Sequence, residues 1–342
     1  MMLYRLRNSL NLDINMPRIS VIIPAYNAGL TILETVGSVQ KQTFQDFELI
    51  VINDGSKDRT LELVKSIKDD RLKIFSYENG GLPLARNRGI SHATGEFIAF
   101  LDADDLWTKD KLELQLAALK QHPKAGVAYS WTCFMDVNEQ REAVSFLPSP
   151  QYSFEGNVYQ KLLVSDFIHS GSNTLICKQA IASVGEFDRT LKSCEDWDYW
   201  LRLATRWHFV VVPKYQILYR RTPKAMSSKV EVMEEAALIA MEKAYQAAPP
   251  ELQHLKSCTL TSFHKYCAGQ YLEHGTDSSE VRKARQHLWS VIRLQPKTLL
   301  DQTIQKLLIK FLLKQVFPPS TARYLFKRMR KTISISDPRL EL

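Results

Sequence analysis

Between Arg18 and Trp131 short apolar runs alternate with helical patterns four times, and this alternation limits the possible folds more than any other feature of the chain. Residues 19–23, 47–52, 72–75 and 97–101 are rich in β-branched and aromatic side chains and read as strands. Residues 30–40, 57–67, 82–92 and 111–120 carry helical spacing, with Pro83 tolerated in a first turn. Strands separated by helices predict an α/β fold with a mostly parallel twisted sheet and right-handed crossovers. The loops after these strands, at residues 24–28, 53–56, 77–81 and 102–105, then gather along one edge of the sheet. That edge is where ligands bind in open α/β sheets.

The fourth strand runs directly into Asp102-Ala103-Asp104-Asp105. Hard carboxylate oxygens at i and i+2 beyond a strand end suit Mg²⁺ or Mn²⁺, with phosphate oxygens completing the shell. A single helix cap accounts for Asp105 but does not call for three acids. At the end of the first strand, Pro24-Ala25-Tyr26-Asn27 either stacks a ring on a base or is an ordinary turn. Asn53-Asp54-Gly55-Ser56 points Asp54 into the crevice to accept an imide N–H, or else caps the next helix. Asn79-Gly80-Gly81 leads into Ala85-Arg86-Asn87-Arg88-Gly89, where glycine N–H groups can approach a phosphate and Arg86 adds charge. The spacing is neither GxGxxG nor GxxxxGK[ST], which argues against dinucleotide-binding and ATPase readings.

A second acidic cluster, Glu195-Asp196-Trp197-Asp198, opens a helix near residues 196–206. Acids in a first turn stabilise the helix dipole by about 0.3–1 kcal/mol each. Alternatively, Trp197 and Trp200 surround a carboxylate with apolar surface and raise its pKa toward that of a general base. Asp198 and Arg202 are expected to pair on the exposed face. Arg220-Arg221-Thr222 either clamps a pyrophosphate or is a solvated edge strand, and His169 reads as a packing or surface histidine.

From Val230 onward the chain reads as helix, with a hairpin over residues 255–272 and 280–294. Residues 301–342 hold nine Lys or Arg against three Asp or Glu, which is six of the eight net positive charges. The basicity therefore belongs to the tail, and nucleic acid is not an expected partner. In that tail Ile304, Leu307, Leu308, Phe311, Leu312 and Val316 share one helical face, and Lys306, Lys310 and Lys314 another. The helix either lies on an anionic membrane or packs within the chain or on a second copy. No apolar run approaches the ~18 residues of a membrane span, and no secretory signal precedes Met16, itself a second potential start. Five scattered cysteines without CxxC spacing fit free thiols in the cytosol, not a disulfide framework or a zinc site.

In order and spacing, the motifs Pro24-Ala25-Tyr26-Asn27, Asn53-Asp54-Gly55-Ser56, Ala85-Arg86-Asn87-Arg88-Gly89, Asp102-Ala103-Asp104-Asp105 and Glu195-Asp196 resemble the family-2 inverting glycosyltransferases of bacterial type with the GT-A fold. The resemblance covers roughly residues 17–228. It implies a catalytic domain at 17–228 and says nothing of the rest, which the sequence pattern divides into a tail at 1–16 and a helical region at 229–342. It implies an enzyme that moves a sugar from a nucleotide-diphosphate sugar, most simply a UDP-sugar, to a hydroxyl of a saccharide or lipid-linked acceptor in cell-surface polysaccharide or glycolipid synthesis. A non-catalytic nucleotide-sugar-binding member of an assembly complex is the alternative. The implied donor-pocket residues are Pro24, Tyr26, Asn27, Asp54, Asn79, Arg86, Asp102, Ala103 and Arg221. Asp104 and Asp102 hold Mg²⁺ or Mn²⁺, and Asp196 beside Glu195 is the base. The tail then places the enzyme in the cytoplasm, peripheral on the inner membrane face, and residues 220–228 form a lid. Many relatives have a histidine where this chain reads Arg220-Arg221-Thr222.

Overall fold

A computed structural model describes residues 16–138, 143–222, 229–274, 278–318, 321–322 and 324–326. Strands β1 (Ile19–Ala25), β2 (Phe47–Asp54), β3 (Leu72–Tyr77) and β4 (Phe97–Phe100) pair in parallel in the order β3-β2-β1-β4. Every residue of β1 and β2 is buried, which is why these strands read as continuous apolar runs instead of alternating ones. Their crossovers are α1 (Ile32–Gln40), α2 (Thr60–Lys65) and α3 (Leu82–His92). The expected bounds of α3 coincide with the observed ones, and Pro83 sits in its first turn.

Beyond β4 the sheet becomes mixed. A two-residue strand β5 (Leu106–Trp107) follows the acidic cluster, so Asp105 precedes a strand and does not cap a helix. After α4 (Lys111–Gln121) comes β6 (Ala125–Val137), whose edge pairs with β7 (Ala143–Pro148). Then come α5 (Tyr159–Val164), β8 (Leu175–Cys177), α6 (Lys178–Val184), α7 (Glu195–Ala204) and β9 (His208–Arg221). Strand β8 joins the halves, antiparallel to both β4 and β6. Strand β9 runs parallel to β6 and antiparallel to β5. The long β6–β9 pair is the main element that the sequence pattern did not define.

Helices α8 (Val230–Ala247), α9 (Lys256–His274), α10 (Ser278–Leu294) and α11 (Gln302–Val316) follow. Their apolar faces merge with α5 and α7 into one continuous core that runs from Ile22 to Leu307. Thr259 on α9 donates to the Leu163 carbonyl of α5 at 2.8 Å, which fixes the helices directly behind the segment leading to Asp166. On α11, Ile304 and Leu307 are buried and Leu308 and Phe311 pack against the core, so most of its apolar face is covered from within the chain. Leu312 and Val316 remain exposed. Among the described residues no helix is long and apolar enough to cross a membrane. The tail at 1–15, residues 223–228 of the expected lid and the basic stretch from Lys327 lie outside the described residues.

Candidate active site

A cavity of about 530 Å³ opens at the carboxyl ends of β1, β2 and β4. Its wall includes Pro24, Tyr26, Asn27, Asp54, Asn79, Arg86, Asp102, Ala103, Asp104, Glu195 and Asp196. The sequence-derived candidates thus meet around one space, with one exception. Arg221 is not on this wall: its guanidinium pairs with Asp136 at 2.6 Å and lies over the Phe134 ring. Neighbouring residues on a strand point to opposite faces, and Arg220 takes the inward position. Arg220 is buried, donates from Nε to the Asp104 carbonyl at 2.8 Å and pairs with Glu34 at 2.6 Å.

Arg86 is the electrostatic centre of the site. Its fully buried guanidinium bridges Asp102 at 2.8 Å and Glu195 at 2.7 Å. Burial acts to lower the Arg86 pKa, but the carboxylates of Asp102, Glu195 and Asp196 outweigh it and raise it further. The close fit depends on Gly171, since a Cβ there would lie 2.2 Å from the Arg86 Nη2. Arg86 therefore organises acids and does not reach out as an unoccupied phosphate ligand.

The glycine turn is likewise committed internally. The Gly80 N–H donates to the Asp54 carboxylate at 3.0 Å and the Gly81 N–H at 2.9 Å, while Arg88 pairs with Asp54 at 2.8 Å. Asn79 Nδ2 donates to the Asp54 carbonyl at 2.9 Å. These N–H groups hold a buried carboxylate, which corrects their expected use as a phosphate cradle. Gly81 has φ of 85°, a conformation open to glycine at the entrance of α3.

At the opposite side of the cavity α7 begins at Cys194, whose φ of 56° is left-handed. This turn sets Glu195 toward Arg86 and places Asp196 on the cavity wall. Burial, then the nearby Asp166 carboxylate, push the Asp196 pKa up to about 6. Burial also raises Asp166 to about 6, and raises Glu195 to about 7 against the pull of Arg86. Trp200 is in the core, and Trp197 donates to the Leu162 carbonyl at 2.9 Å. The Asp198–Arg202 pair forms at 2.9 Å, but Asp198 is buried and also binds Lys243 at 2.8 Å, so the pair does not sit on an exposed face.

Two further residues belong to the site. Asp166 has no motif around it and reaches Asp196 only through the tertiary fold. His169 lines the cavity with φ of 69° and a buried Nε2 that has no partner. Burial lowers its pKa to about 4, so the imidazole is neutral at physiological pH. Asp105 is withdrawn from the cavity. It accepts hydrogen bonds from Ser172 Oγ at 2.6 Å and the Arg220 N–H at 3.0 Å, and burial raises its pKa.

The charged residues of the cavity wall are five carboxylates and one guanidinium. A polyphosphate entering such a site would meet net repulsion unless a cation accompanied it. Asp102 and Asp104 are hard oxygen donors on either side of Ala103, a donor set that fits Mg²⁺ or Mn²⁺.

Residues 20–268 match the family model described as "Glycosyltransferase like family 2". An Escherichia coli protein, "UDP-Glc:alpha-D-GlcNAc-diphosphoundecaprenol beta-1,3-glucosyltransferase WfgD", is 32% identical over 186 residues, covering 54% of this chain and 69% of that one. An uncharacterized glycosyltransferase of Rickettsia bellii is 36% identical over 190 residues, covering 55% of this chain but 26% of its own length. Across the Rickettsia relatives the match spans 26% to 59% of their length. Among solved structures, S. aureus TarS 1–349 in complex with UDP-GlcNAc superposes with a TM-score of 0.60 at 20% identity, covering 92% of both chains. The mannosyltransferase PcManGT from Pyrobaculum calidifontis, in complex with GDP-Man and Mn²⁺, gives 0.55 at 18% identity, covering 88% of both. The shared architecture is the GT-A-type α/β fold with C-terminal helices.

Proposed function

The chain belongs to glycosyltransferase family 2, and from that premise we propose that it transfers a sugar from a UDP-sugar, with inversion, to a hydroxyl of a saccharide or lipid-linked acceptor. The observation that carries this reading is the convergence of Asp54, Arg86, Asp102, Asp104 and Asp196 on one cavity large enough for a nucleotide sugar. The alternative of a binding protein without catalysis leaves the raised Asp196 pKa on the cavity wall without a use.

In this reading the Tyr26 ring, half-exposed at the mouth, stacks on the base, and Asp54 with Asn79 lines the base pocket. Asp102 and Asp104 would hold Mg²⁺ or Mn²⁺, which would supply Lewis-acid neutralisation of the leaving diphosphate. Arg86 keeps Asp102 and Glu195 apart and oriented. The neutral His169 imidazole offers one hydrogen bond to the bound donor. Asp196 takes the proton from the acceptor hydroxyl as that oxygen bonds to the anomeric carbon. The bond from the anomeric carbon to the diphosphate oxygen breaks on the opposite face, and its electron pair leaves with UDP. One base is sufficient, because the leaving group needs charge neutralisation and not a proton.

The WfgD relative is named for action on a diphosphoundecaprenol acceptor, which supports a lipid-linked acceptor here and placement at the inner membrane face. Exposed Leu312 and Val316 fit such a surface. Of the α11 lysines, however, Lys310 pairs with Glu273 at 2.7 Å and Lys314 donates to the Tyr271 carbonyl at 3.5 Å, which leaves Lys306 as the exposed one. The test is a thermal-shift panel of nucleotide sugars with and without Mn²⁺, followed by transfer assays with the stabilising donor. Stabilisation by a UDP-sugar and release of UDP on adding acceptor are expected. Binding without turnover by any polyprenyl-diphosphate saccharide would favour the non-catalytic alternative.

A further inference from the structure

Outside the cavity, one cluster of metal-ligating side chains stands apart in the helical region. Glu234 on α8, Cys267 on α9 and His287 on α10 each bring one ligand atom to within 4.8 Å of the others. Cys267 is fully buried and His287 nearly so, whereas the Glu234 side chain is 30% exposed. From this arrangement we infer that the helical region binds a transition-metal ion, Zn²⁺ by its ligand chemistry, through Glu234, Cys267 and His287.

The His287–Glu234 separation suits a shared ion. His287 Nε2 and Glu234 Oε1 are 3.4 Å apart, beyond the usual ~2.7–3.2 Å of an N–H···O bond. Two ligands of one tetrahedral Zn²⁺, each at about 2.0–2.2 Å, stand roughly this far apart. The second layer is also in place. His264 Nδ1 meets His287 Nδ1 at 2.8 Å. When His287 carries its hydrogen on Nδ1 and donates to His264, its Nε2 lone pair is aimed toward Glu234, where a cation makes the arrangement favourable. Metal-bound histidines commonly donate their other N–H in this way. Tyr271 donates to the second Glu234 oxygen at 3.0 Å and stacks on the His287 ring.

Charge balance agrees. One thiolate, one carboxylate and a neutral imidazole around a divalent ion make a neutral unit, acceptable where isolated charges are not. Lys283, the nearby cation, is paired with Glu231 and lies over the Tyr271 ring. Binding releases the Cys267 thiol proton to solvent as the sulfur–metal bond forms. A water on the open side next to Glu234 would complete four-coordination. The cysteine spacing concealed this site, because its ligands come singly from three helices. The ion would clamp α8, α9 and α10 together behind the catalytic sheet.

Tag-free protein purified under reducing conditions should carry about one zinc per chain by elemental analysis. After removal by chelator, Zn²⁺ should raise the melting temperature, and Co²⁺ should give a thiolate-to-cobalt absorption band. Cys267→Ser should lose the band, His264→Gln should weaken binding by about 10–100-fold, and Asp104→Asn should retain the site. If stripped wild-type protein shows neither the band nor a Zn²⁺-dependent rise in melting temperature, the cluster is only a buried hydrogen-bonded network and the proposal fails. It also fails if Cys267→Ser binds zinc as tightly as wild type. Should Cys267→Ser not fold, the wild-type titrations alone decide.

Discussion

Arg86 and Glu195, 109 positions apart in sequence, meet at 2.7 Å in the floor of the cavity. The contact joins the helix after β3 to the helix that carries the proposed base. Through the same guanidinium Asp102 is joined to both. Acids on the two sides of the cavity are therefore mechanically linked by one buried cation.

Removing that cation should be severe. Arg86→Ala leaves Glu195 and Asp102 facing each other without a counter-charge, and the expected loss is about 3–5 kcal/mol. Chemical denaturation measures it. The double variant Arg86→Met with Glu195→Gln should recover a substantial part of the loss, because no buried charge is then left alone.

Gly171→Ala should disturb the same link without altering any acid. The added Cβ would lie 2.2 Å from a guanidinium nitrogen that both salt bridges hold in place. A fall in kcat with little change in UDP affinity is expected from steady-state kinetics and calorimetry. Unchanged turnover would show that Arg86 has slack that the structure does not suggest.

Asp196→Asn should lower transfer by about 10²–10⁴-fold, the usual range for a general base, while UDP binding stays close to wild type. Full transfer by this variant would remove Asp196 from the mechanism.

The pH dependence follows from the shifted acids. The base must be ionised, so activity should rise with pH through about 6, the value to which Asp196 is raised. Asp166→Asn removes the neighbouring negative charge, lowers the Asp196 pKa and should move the acid limb of the profile to lower pH. Stability has the opposite sign. Glu195, Asp196 and Asp166 have native pKa values near 6 to 7, above their ordinary 3.8 to 4.5, so the native state holds the extra protons. From these groups alone, stability should increase on acidification from about pH 8 to about pH 5.

Chelation should abolish transfer, and Mn²⁺ should restore it. Asp104→Asn should weaken metal-dependent donor binding more than metal-free UDP binding, measured by calorimetry in both conditions. Equal donor binding with and without metal in wild type would contradict the inference from the five acids of the wall.

The sequence carried the first half of the fold well, because burial on both faces leaves strands such as β1 and β2 as unbroken apolar runs. It also located the acids at the end of β4. It could not tell Arg220 from Arg221, since strand pleating decides which neighbour turns inward and nothing local sets that register. Nor could it show that the Gly80 and Gly81 N–H groups serve Asp54, a contact across 26 and 27 positions. Asp166 was invisible for the same reason: its effect on Asp196 exists only after α5 and α7 have packed.

Asp105 has a consequence beyond its own carboxyl. It receives the Ser172 hydroxyl from one loop and the Arg220 N–H from β9, while the Arg220 side chain grips the carbonyl of Asp104. The last strand and the acidic loop are thus geared, and any tilt of β9 is transmitted to the angle at which Asp104 faces the cavity. Substitutions far along that strand should therefore retune cation affinity without ever touching the cation.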